Sequence, residues 1–401
     1  MSQVVQLRFV LLLAAISALT PFAIDMYLPV MPEIAADLGV SLGQVQASLS
    51  SFLLGFSLGQ LLHGPLTDAW GRRPLLLGVL LLFTLFSLLC ALATSLEMLL
   101  LWRFGQALSG AGAAVVVAAS ISDRYQGAAM IKARSLMASS MTLAPLLAPA
   151  LGAAVAGIAG WRSLFVVLAL VALINFVLVW RALPESLGVR RSLRLRAVMI
   201  SYLHIITTPV ARLELPAIAL LSGAFFSFLA ATPYLYMEQI GLSPGGYAMA
   251  FAANVLALTF CSWLNSRLAG RVPPRWLLMR ALGLQLTLSL TVSITVGIYG
   301  PILWLHAPMW WLIIGLNGLI FANGMALVLE RFRNRAGTAA ALLGASQFGC
   351  GAISSALVAT ASHHGPVPVV AVHSLCLLVA MLLFRRAARQ QAAQIAARPA
   401  N

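Results

Sequence analysis

Residues 74–95 read PLLLGVLLLFTLFSLLCALATS and contain no charged side chain. At 1.5 Å per residue this stretch makes a helix about 33 Å long, enough to cross the hydrocarbon core of a bilayer. Similar apolar stretches recur along the chain, and hydropathy over windows of about 19 residues predicts twelve spans. The sequence therefore predicts an all-α membrane protein. The spans cover residues 9–28, 46–66, 74–95, 99–121, 135–158, 163–183, 214–236, 246–266, 277–298, 309–329, 337–361 and 367–384.

The composition of the whole chain fits this class and excludes others. Of 401 residues, 61% are hydrophobic and 9% are charged, whereas soluble domains have about 25% charged residues. Twelve spans leave no room for a sizeable soluble domain, so a soluble enzyme is excluded. Four cysteines stand singly in apolar stretches, and for these we expect packing roles and no metal site. They are Cys90, Cys261, Cys350 and Cys376.

The formal net charge of +15 has a topological explanation. Cytoplasmic loops of membrane proteins carry an excess of Lys and Arg. If the chain starts inside, only Arg162 of the 25 basic residues falls in an outer loop, and only Arg103 lies deep within a span. We therefore predict a multi-pass membrane protein with both termini in the cytoplasm and no nucleic-acid partner. Alternatively, Arg8 and the apolar stretch after it form a cleaved secretory signal, which would invert the charge bias of every later loop.

The longest and most basic connection divides the predicted spans into two groups of six. The predicted domains are an N-terminal six-helix bundle (1–183), a cytoplasmic linker loop (184–213) and a C-terminal six-helix bundle with a short basic tail (214–401). Weak internal symmetry supports a duplication, because GPLTDAWGRRP at 64–74 has a degenerate counterpart, NSRLAGR, at 265–271. Two such halves around a central cavity predict transport by alternating access. We expect a monomer, since the two halves form their own cavity.

Two ionisable residues inside spans are functional hypotheses, because charges in hydrocarbon are costly. Asp25 lies 17 residues beyond Arg8, and Arg103 lies 20 residues before Asp123, so both fall at similar depth in the outer half of the bilayer. Burial favours a protonated carboxyl group and a nearby cation favours an ionised one, so the pair could load and release a proton. Alternatively, Asp25 caps a helix end beside Pro29, and Arg103 snorkels to the headgroups or bonds a carbonyl group.

Residues 64–74 combine a helix end, an acid, a tight glycine turn and paired arginines, and we predict a cytoplasmic gate there. Asp68 would accept hydrogen bonds from arginines or from the start of a neighbouring helix. A simple charged turn is the alternative. The predicted gate residues are Gly64, Asp68, Gly71, Arg72, Arg73, Asp123 and Arg124.

The fifth span carries Pro145, Pro149 and Gly152 among small residues, a pattern that bends a helix and lets a partner approach closely. Ordinary kinked packing is the alternative to an antiporter-specific gate.

Polar and aromatic side chains within spans are candidate substrate contacts, and each could instead serve helix packing. A mostly apolar wall of this kind favours uncharged or amphipathic small molecules over sugars or polyanions. The candidates are Tyr27, Gln60, Gln106, Ser139, Thr142, Phe225, Phe226, Tyr234, Asn254, Asn317, Asn323 and Gln347.

Motifs of other energy sources and of membrane hydrolases are missing from the sequence. There is no GxxxxGK[ST] or HExxH motif and no nucleophile-elbow context. We therefore expect a secondary active transporter without catalytic residues or a cofactor, driven by an ion gradient.

These residues together resemble the major facilitator superfamily, in particular the drug:proton antiporter branch that includes the bicyclomycin-resistance (Bcr/CflA) proteins and the chloramphenicol and florfenicol exporters. DMYLP at 25–29 is similar to the helix 1 signature of that branch, and residues 64–74 are similar to the superfamily motif between helices 2 and 3. Residues 145–152 resemble the antiporter motif of helix 5, and Gly160 to Arg162 fit the next turn. The helix 4 motif linked to proton coupling is similar to Arg103, Gln106, Gly110 and Gly112.

Three positions depart from the family pattern. Ala148 stands where the antiporter motif usually has Gly, and Ser122, Asp123 and Arg124 stand where relatives often carry Arg-Asp. Ser17 stands where some multidrug relatives hold a second acid. A single membrane carboxylate favours neutral or monocationic substrates over dications.

The resemblance implies proton-coupled efflux of small, largely apolar drugs such as amphenicols or bicyclomycin across the bacterial inner membrane, and hence multidrug resistance. In this interpretation Asp25 carries the proton, Arg103 modulates it, and Asp68 with Arg72 and Arg73 forms the inner latch. The expected partners are the drug, protons and the lipid bilayer. Three alternatives stay open: an exporter of an endogenous metabolite (a siderophore, nucleoside or amino-acid derivative), a non-transporting membrane sensor, and a proton-coupled importer.

Overall fold

The computed structural model describes residues 6–188, 195–332 and 336–396, and these residues form fourteen α-helices. The first seven are α1 (Leu7–Asp25), α2 (Met31–Leu38), α3 (Leu42–Trp70), α4 (Arg72–Ala91), α5 (Leu96–Arg124), α6 (Gly127–Ala159) and α7 (Arg162–Ala182). The others are α8 (Leu195–Thr207), α9 (Ala211–Thr232), α10 (Pro244–Leu268), α11 (Pro274–Tyr299), α12 (Leu303–Arg331), α13 (Ala336–Ala361) and α14 (Pro366–Ala396).

Twelve helices of the described ranges are long and apolar enough to cross a membrane, which confirms the predicted all-α fold. Each predicted span coincides with one of them, although several helices run beyond the predicted ends. The first spans Leu7–Leu38 instead of 9–28, because a 3-10 turn at Leu28–Val30 connects α1 to α2 without a loop. Likewise, α14 continues to Ala396 through the stretch predicted as a tail.

The chain packs as two compact units, Met1–Leu195 with Tyr236–Ala252, and Arg196–Leu235 with Ala253–Asn401. The stretch predicted as a linker loop, 184–213, contains the thirteen-residue helix α8. This stretch was expected to be a loop because it is the longest and most basic connection between spans, but neither property prevents a helix from forming there. The predicted arginines at 190, 191, 194, 333, 335 and 398 lie outside the described residues.

In the first unit, α3 packs along α5, α4 packs against both α5 and α7, and α1 packs against α6. Two glycines of α3 allow its backbone to lie very close to the backbone of α5. A Cβ atom on Gly55 would lie 3.2 Å from the Cα atom of Phe104, and one on Gly59 would lie 2.7 Å from the carbonyl oxygen of Leu108. Small residues of this kind bring membrane helices together by van der Waals contact.

In the second unit, α9 is the central helix and packs against α13 and α14, while α11 packs against α12 and α14. Most of α9 is buried. Its Gly223 faces Cys350, where an added Cβ atom would lie 2.8 Å from the sulfur atom. The four cysteines are unpaired, with Cys90 and Cys376 buried and Cys261 and Cys350 half-buried.

Large apolar side chains are also exposed along the spans. Leu85 on α4, Leu170 on α7 and Leu312 on α12 are each at least half exposed. Exposed apolar side chains on spans are covered by lipid in a membrane protein.

Candidate functional site

Asp25 lies inside the first apolar span, at the point where the α-helix is interrupted. It is the last residue of α1, and only 5% of its surface is exposed. The interruption has a local cause, since Pro29 has no backbone N–H and cannot continue the hydrogen-bond ladder. No hydrogen bond or ion pair among the described residues engages the carboxyl group. Asp25 is therefore a buried acid without a counter-ion in the part of the chain that the structure describes.

Arg103 on α5 is completely buried. Its Nη1 atom donates a hydrogen bond to Oε1 of Gln106 over 2.7 Å, while Nε and Nη2 have no partner among the described residues. The guanidinium carbon lies over three aromatic rings, at 4.7 Å from the centroid of Tyr27, 4.3 Å from that of Phe52 and 5.7 Å from that of Phe165. Cation–π attraction to these rings stabilises the charge, since no acid among the described residues pairs with it.

Two hydrogen bonds hold the groups around Arg103 in place. The amide nitrogen of Gln106 donates to Oγ of Ser87 on α4 over 2.7 Å, so both ends of this amide are used within the unit. The hydroxyl group of Tyr27 shares a 2.6 Å hydrogen bond with Ser48 on α3. The structure thus brings Arg103 against Tyr27, two residues beyond Asp25, and forms no ion pair between Arg103 and Asp25.

The fifth span packs directly against this interrupted segment. An added Cβ atom on Gly152 of α6 would lie 2.8 Å from Cα and 2.9 Å from the carbonyl carbon of Met26, and still closer to the carbonyl oxygen. Pro145 and Pro149 lie in the interior of the same helix, about two turns and one turn before Gly152. The motif of the fifth span therefore contacts the backbone directly after Asp25.

Arg72 is the centre of the predicted gate. Its Nη1 atom lies 2.7 Å from Oδ1 of Asp68, and its Nε atom lies 2.9 Å from Oδ2 of Asp123. The Arg72 side chain is only 8% exposed, so its two ion pairs are shielded from water on the arginine side. Gly71, between α3 and α4, has a φ of +104°, which side-chain-bearing residues rarely adopt. These contacts connect the ends of α3 and α5 to the start of α4.

Glu185, which follows the sixth span, also belongs to this cluster and was not predicted. Its two carboxylate oxygens accept hydrogen bonds from the backbone N–H groups of Arg72 (3.0 Å) and Arg73 (3.2 Å), the first two residues of α4. An acid at a helix N-terminus accepts hydrogen bonds from the free N–H groups and interacts favourably with the positive end of the helix dipole. One feature of the sequence indicates that α4 needs an acid from elsewhere in the chain, because its first turn contains none of its own.

Three predicted gate residues lie apart from the Asp68–Arg72–Asp123 cluster. The guanidinium of Arg73 donates to the carbonyl oxygen of Trp180 over 2.6 Å. The guanidinium of Arg124 donates to Oε1 of Gln6 over 2.8 Å, at the start of α1. A side chain at Gly64 would meet no atom within 4 Å.

The predicted substrate contacts of the second unit include an aromatic cluster. Phe225 lies 5.6 Å from Phe226 and 5.9 Å from Phe321, and Phe226 lies 5.2 Å from Phe348, between ring centroids. A Cβ atom on Gly351 would lie 2.9 Å from Cγ of Phe226, so α13 approaches α9 closely here.

The other predicted contacts lie in varied surroundings. The Asn317 amide donates to carbonyl groups of its own helix, and that of Asn323 donates to Asn265 over 2.6 Å, so both serve helix structure. Tyr234 and Asn254 are buried, Gln60 and Gln347 are half-buried, and Thr142 is exposed. Ser139 lies on α6, and its side chain is outside the described residues.

Glu214, in the first turn of α9, is a second buried acid that was not predicted. It is 1% exposed, and its carboxylate oxygens lie 3.8 Å from Nη1 of Arg275 and 3.4 Å from Nη2 of Arg331. Arg275 also donates to Oε1 of Gln391 over 2.7 Å. These groups line a cavity of about 380 Å³ and connect the ends of four spans. No local sequence pattern could have paired residues so far apart in the chain.

The sequence profile of the Major Facilitator Superfamily matches residues 13–356. The chain belongs to the major facilitator superfamily. The fold agrees, since the chain superposes on a bacterial homologue of the human lysosomal transporter Spinster with a TM-score of 0.77, at 17% identity, over 97% of this chain and 98% of the other. A D-xylose–proton symporter superposes with a TM-score of 0.73, at 15% identity, over 94% and 97% of the two chains.

Relatives in sequence place the chain in the drug-resistance branch that its motifs resemble. A bicyclomycin resistance protein homologue of Haemophilus influenzae is 32% identical over 94% of this chain and 95% of its own length. The multidrug resistance protein MdtL of Salmonella heidelberg is 31% identical over 86% of each chain. A chloramphenicol resistance protein of Pseudomonas aeruginosa is 34% identical over 67% of this chain and 62% of its own length. The chain is thus a multi-pass protein of the bacterial inner membrane, and it is similar in sequence to drug-resistance proteins of the superfamily.

Proposed function

We propose that this chain exports small, largely apolar drugs of the amphenicol or bicyclomycin kind in exchange for protons, by alternating access. In this proposal it works as a monomer without a cofactor, and the proton gradient supplies the energy. The relatives named for resistance to bicyclomycin, chloramphenicol and multiple drugs support the substrate class. The single observation that supports proton coupling is the burial of Asp25 within an apolar span, with no ion-pair partner among the described residues.

Asp25 is the proposed proton carrier. Its carboxyl group has no ion-pair partner in the described structure, so a proton can neutralise it without breaking an existing interaction. The carboxyl group lies where the backbone hydrogen-bond ladder of the first span is interrupted, a local geometry that recurs at ion and substrate sites of transporters. A change in the water or charge around this segment would then change the occupancy of the proton.

Arg103 is the proposed modulator of that proton, acting through Tyr27. Its buried charge lies over the Tyr27 ring, and Tyr27 is two residues beyond Asp25. The two unpartnered donors, Nε and Nη2, are available for a transient acceptor such as an ionised carboxylate or a polar group of the drug. Because aromatic rings and not an acid stabilise it, the Arg103 guanidinium stays positively charged while its hydrogen-bond partners change.

We further propose that the arginine-rich helix ends face the cytoplasm, with both termini on that side. The Asp68–Arg72–Asp123 cluster would then be the inner latch, stabilised by Glu185 at the start of α4. A fluorescent protein that matures only in the cytoplasm, fused after Asn401, tests the orientation. Fluorescence supports the proposed side, and its absence at normal expression refutes it.

The test of proton coupling compares three proteins in liposomes with a pH-sensitive dye inside. These are the wild type, Asp25→Asn and Asp37→Asn. The matched control Asp37 belongs to the same span but is half exposed and paired with Arg162 over 2.7 Å. Chloramphenicol, bicyclomycin and a lipophilic dication are added in turn.

We expect drug-dependent proton movement with chloramphenicol or bicyclomycin in the wild type and in Asp37→Asn, and none in Asp25→Asn. Proton movement that survives in Asp25→Asn would refute Asp25 as the carrier. A wild type that responds to none of the compounds would refute the drug assignment and favour export of an endogenous metabolite. A strong response to the dication would refute the preference for neutral or monocationic substrates.

A further inference from the structure

The connection between the sixth and seventh spans contains a short helix with an apolar exposed face. This helix, α8, reads LRAVMISYLHIIT from Leu195 to Thr207. Its side chains Met199, Ile200, Leu203 and Ile206 are 59%, 56%, 53% and 44% exposed. Spacings of one, four and seven residues place these four side chains on one side of a helix. The exposed side of α8 is therefore a continuous apolar stripe, defined by these four residues.

The opposite side of α8 is already covered by the protein. Tyr202 is 9% exposed and Ile205 is fully buried. A helix that is apolar on both sides is stable only when both sides are shielded from water. Large apolar patches that face water therefore mark surfaces that bind protein or lipid. One side of α8 has that cover within the described structure, and the stripe does not.

The position of α8 in the chain brings the stripe to the membrane surface. Only three residues separate Thr207 from Ala211, the first residue of the span Ala211–Gln239. Four Cα–Cα steps reach at most about 15 Å, and each interfacial layer of a bilayer is roughly 5–8 Å thick. The end of α8 therefore lies in or next to the lipid headgroup region.

The charge of the connection selects the kind of lipid. Residues 181–212 contain six arginines and one acid, Glu185. Two of the arginines, Arg196 on α8 and Arg212 on α9, are exposed in the structure. Arginines next to a membrane-embedded helix attract anionic headgroups, and an apolar helix side flanked by them is the pattern of an interfacial helix.

We propose that α8 is an interfacial anchor that inserts its Met199–Ile206 stripe into the bilayer surface and binds anionic phospholipid headgroups through its flanking arginines. The docked helix would hold the start of the seventh span at a defined depth. The proposed orientation assigns this contact to the cytoplasmic leaflet, and the contact itself does not depend on the proposed transport activity.

The test measures the depth of single nitroxide labels in vesicles. In a background with the four native cysteines replaced by serine, labels are placed at Met199→Cys and Leu203→Cys. Leu170→Cys, on the lipid-exposed side of α7, gives the lipid reference, and Ala269→Cys, in the exposed turn after α10, gives the water reference. Collision rates with oxygen and with a water-soluble nickel chelate are measured in phosphatidylcholine vesicles with and without phosphatidylglycerol. Both leaflets have the same composition, so orientation does not affect the result.

We expect the labels at 199 and 203 to be accessible to oxygen and protected from the nickel chelate, as at 170, but to lie at a shallower depth, about 5–10 Å below the headgroup level. Adding Arg196→Gln and Arg212→Gln should make them shallower in anionic vesicles and leave them unchanged in neutral ones. Nickel access equal to that at 269 would overturn the proposal in favour of a water-exposed helix. Protection from both reagents would overturn it in favour of a protein cover, such as a second copy of the chain.

A second measurement needs no substitution and covers the case in which a labelled variant does not fold. The wild type is reconstituted with phosphatidylglycerol that carries a photoreactive group on its acyl chain, and the crosslinked residues are mapped by mass spectrometry. We expect crosslinks at 199–206 in addition to those within spans. Crosslinks confined to the spans would overturn the proposal. Neither readout uses drug transport, so loss of proton exchange would leave both results standing.

Discussion

Gly152→Ala is the sharpest test of the idea that the fifth span sets the position of Asp25. The added methyl group on α6 would lie 2.8 Å from Cα of Met26 and even closer to the Met26 carbonyl oxygen. Unbonded carbon atoms pack at about 3.5–4.0 Å, so the backbone after Asp25 must move by about 1 Å. The obstructing atoms belong to the main chain and cannot rotate away as a side chain would.

The size of the effect follows from this displacement. Overpacking a well-packed core costs about 1–3 kcal/mol. The Ala substitution also has an intrinsic helix preference of about 0.5–1 kcal/mol over Gly, which partly offsets that cost. We therefore expect a net loss of about 1–2 kcal/mol in stability. A displacement of about 1 Å at Asp25 should also reduce drug-dependent proton flux by roughly tenfold or more, since precise placement governs such reactions.

Gly157→Ala is the matched control, because it makes the same chemical change on the same helix where an added Cβ atom meets nothing within 4 Å. The two variants are compared by melting temperature in detergent and by proton flux in liposomes. Gly157→Ala should melt at or above the wild-type temperature and transport normally, while Gly152→Ala should melt lower and transport poorly. If both variants behave alike, the reasoning that Gly152 holds the Asp25–Tyr27 segment in place is refuted.

Three further perturbations test the other charged groups. Arg72→Gln removes the shared partner of Asp68 and Asp123 and should lower the stability by about 2 kcal/mol. Arg73→Gln loses one guanidinium hydrogen bond and should lower it by about 1 kcal/mol. Equal melting temperatures of the two variants would contradict this expectation. Arg103→Lys keeps the charge but loses the planar contact with three rings, so we expect a lower melting temperature and loss of drug-dependent proton flux, and normal flux would show that charge alone suffices. A double-mutant cycle of Glu214→Gln and Arg331→Gln should give a coupling of about 0.5–1 kcal/mol, since Arg331 is partly exposed, and a coupling near zero would exclude the ion pair.

The charged residues of this chain fall into two physical classes. At the helix ends, Arg72 and Arg275 each contact an acid and a second group, so their charges are shared within fixed clusters. Within the spans, Asp25 and Arg103 have no opposite charge in contact among the residues that the structure describes. Paired charges stabilise one arrangement of helices, whereas unpaired ones respond to a proton or a ligand. This division is what the proposed exchange of drug for protons requires.

Hydropathy alone predicted the number and order of the spans, because a membrane-crossing helix must satisfy its own backbone and present apolar side chains over a fixed length. The helix ends were less accurate. The first span was predicted to end at residue 28, yet after the interruption at Pro29 a 3-10 turn leads directly into α2, so the span extends to Leu38. Helix α8 was missed because thirteen residues are too few for a span, and a window of about 19 residues averages such a helix with its polar surroundings.

The sequence by itself also singled out Asp25, Arg103, Asp68 and Arg72, because each is a charged residue in or beside an apolar helix and is therefore conspicuous in one dimension. Only the tertiary structure decided what each of them contacts. It placed Arg103 among the rings of Tyr27, Phe52 and Phe165 instead of against Asp25, and it added Glu185 and Glu214 to clusters that no local pattern predicts. The physical reason is that apolar periodicity specifies where a helix runs, whereas the partner of a side chain depends on which helices pack together and at what rotation.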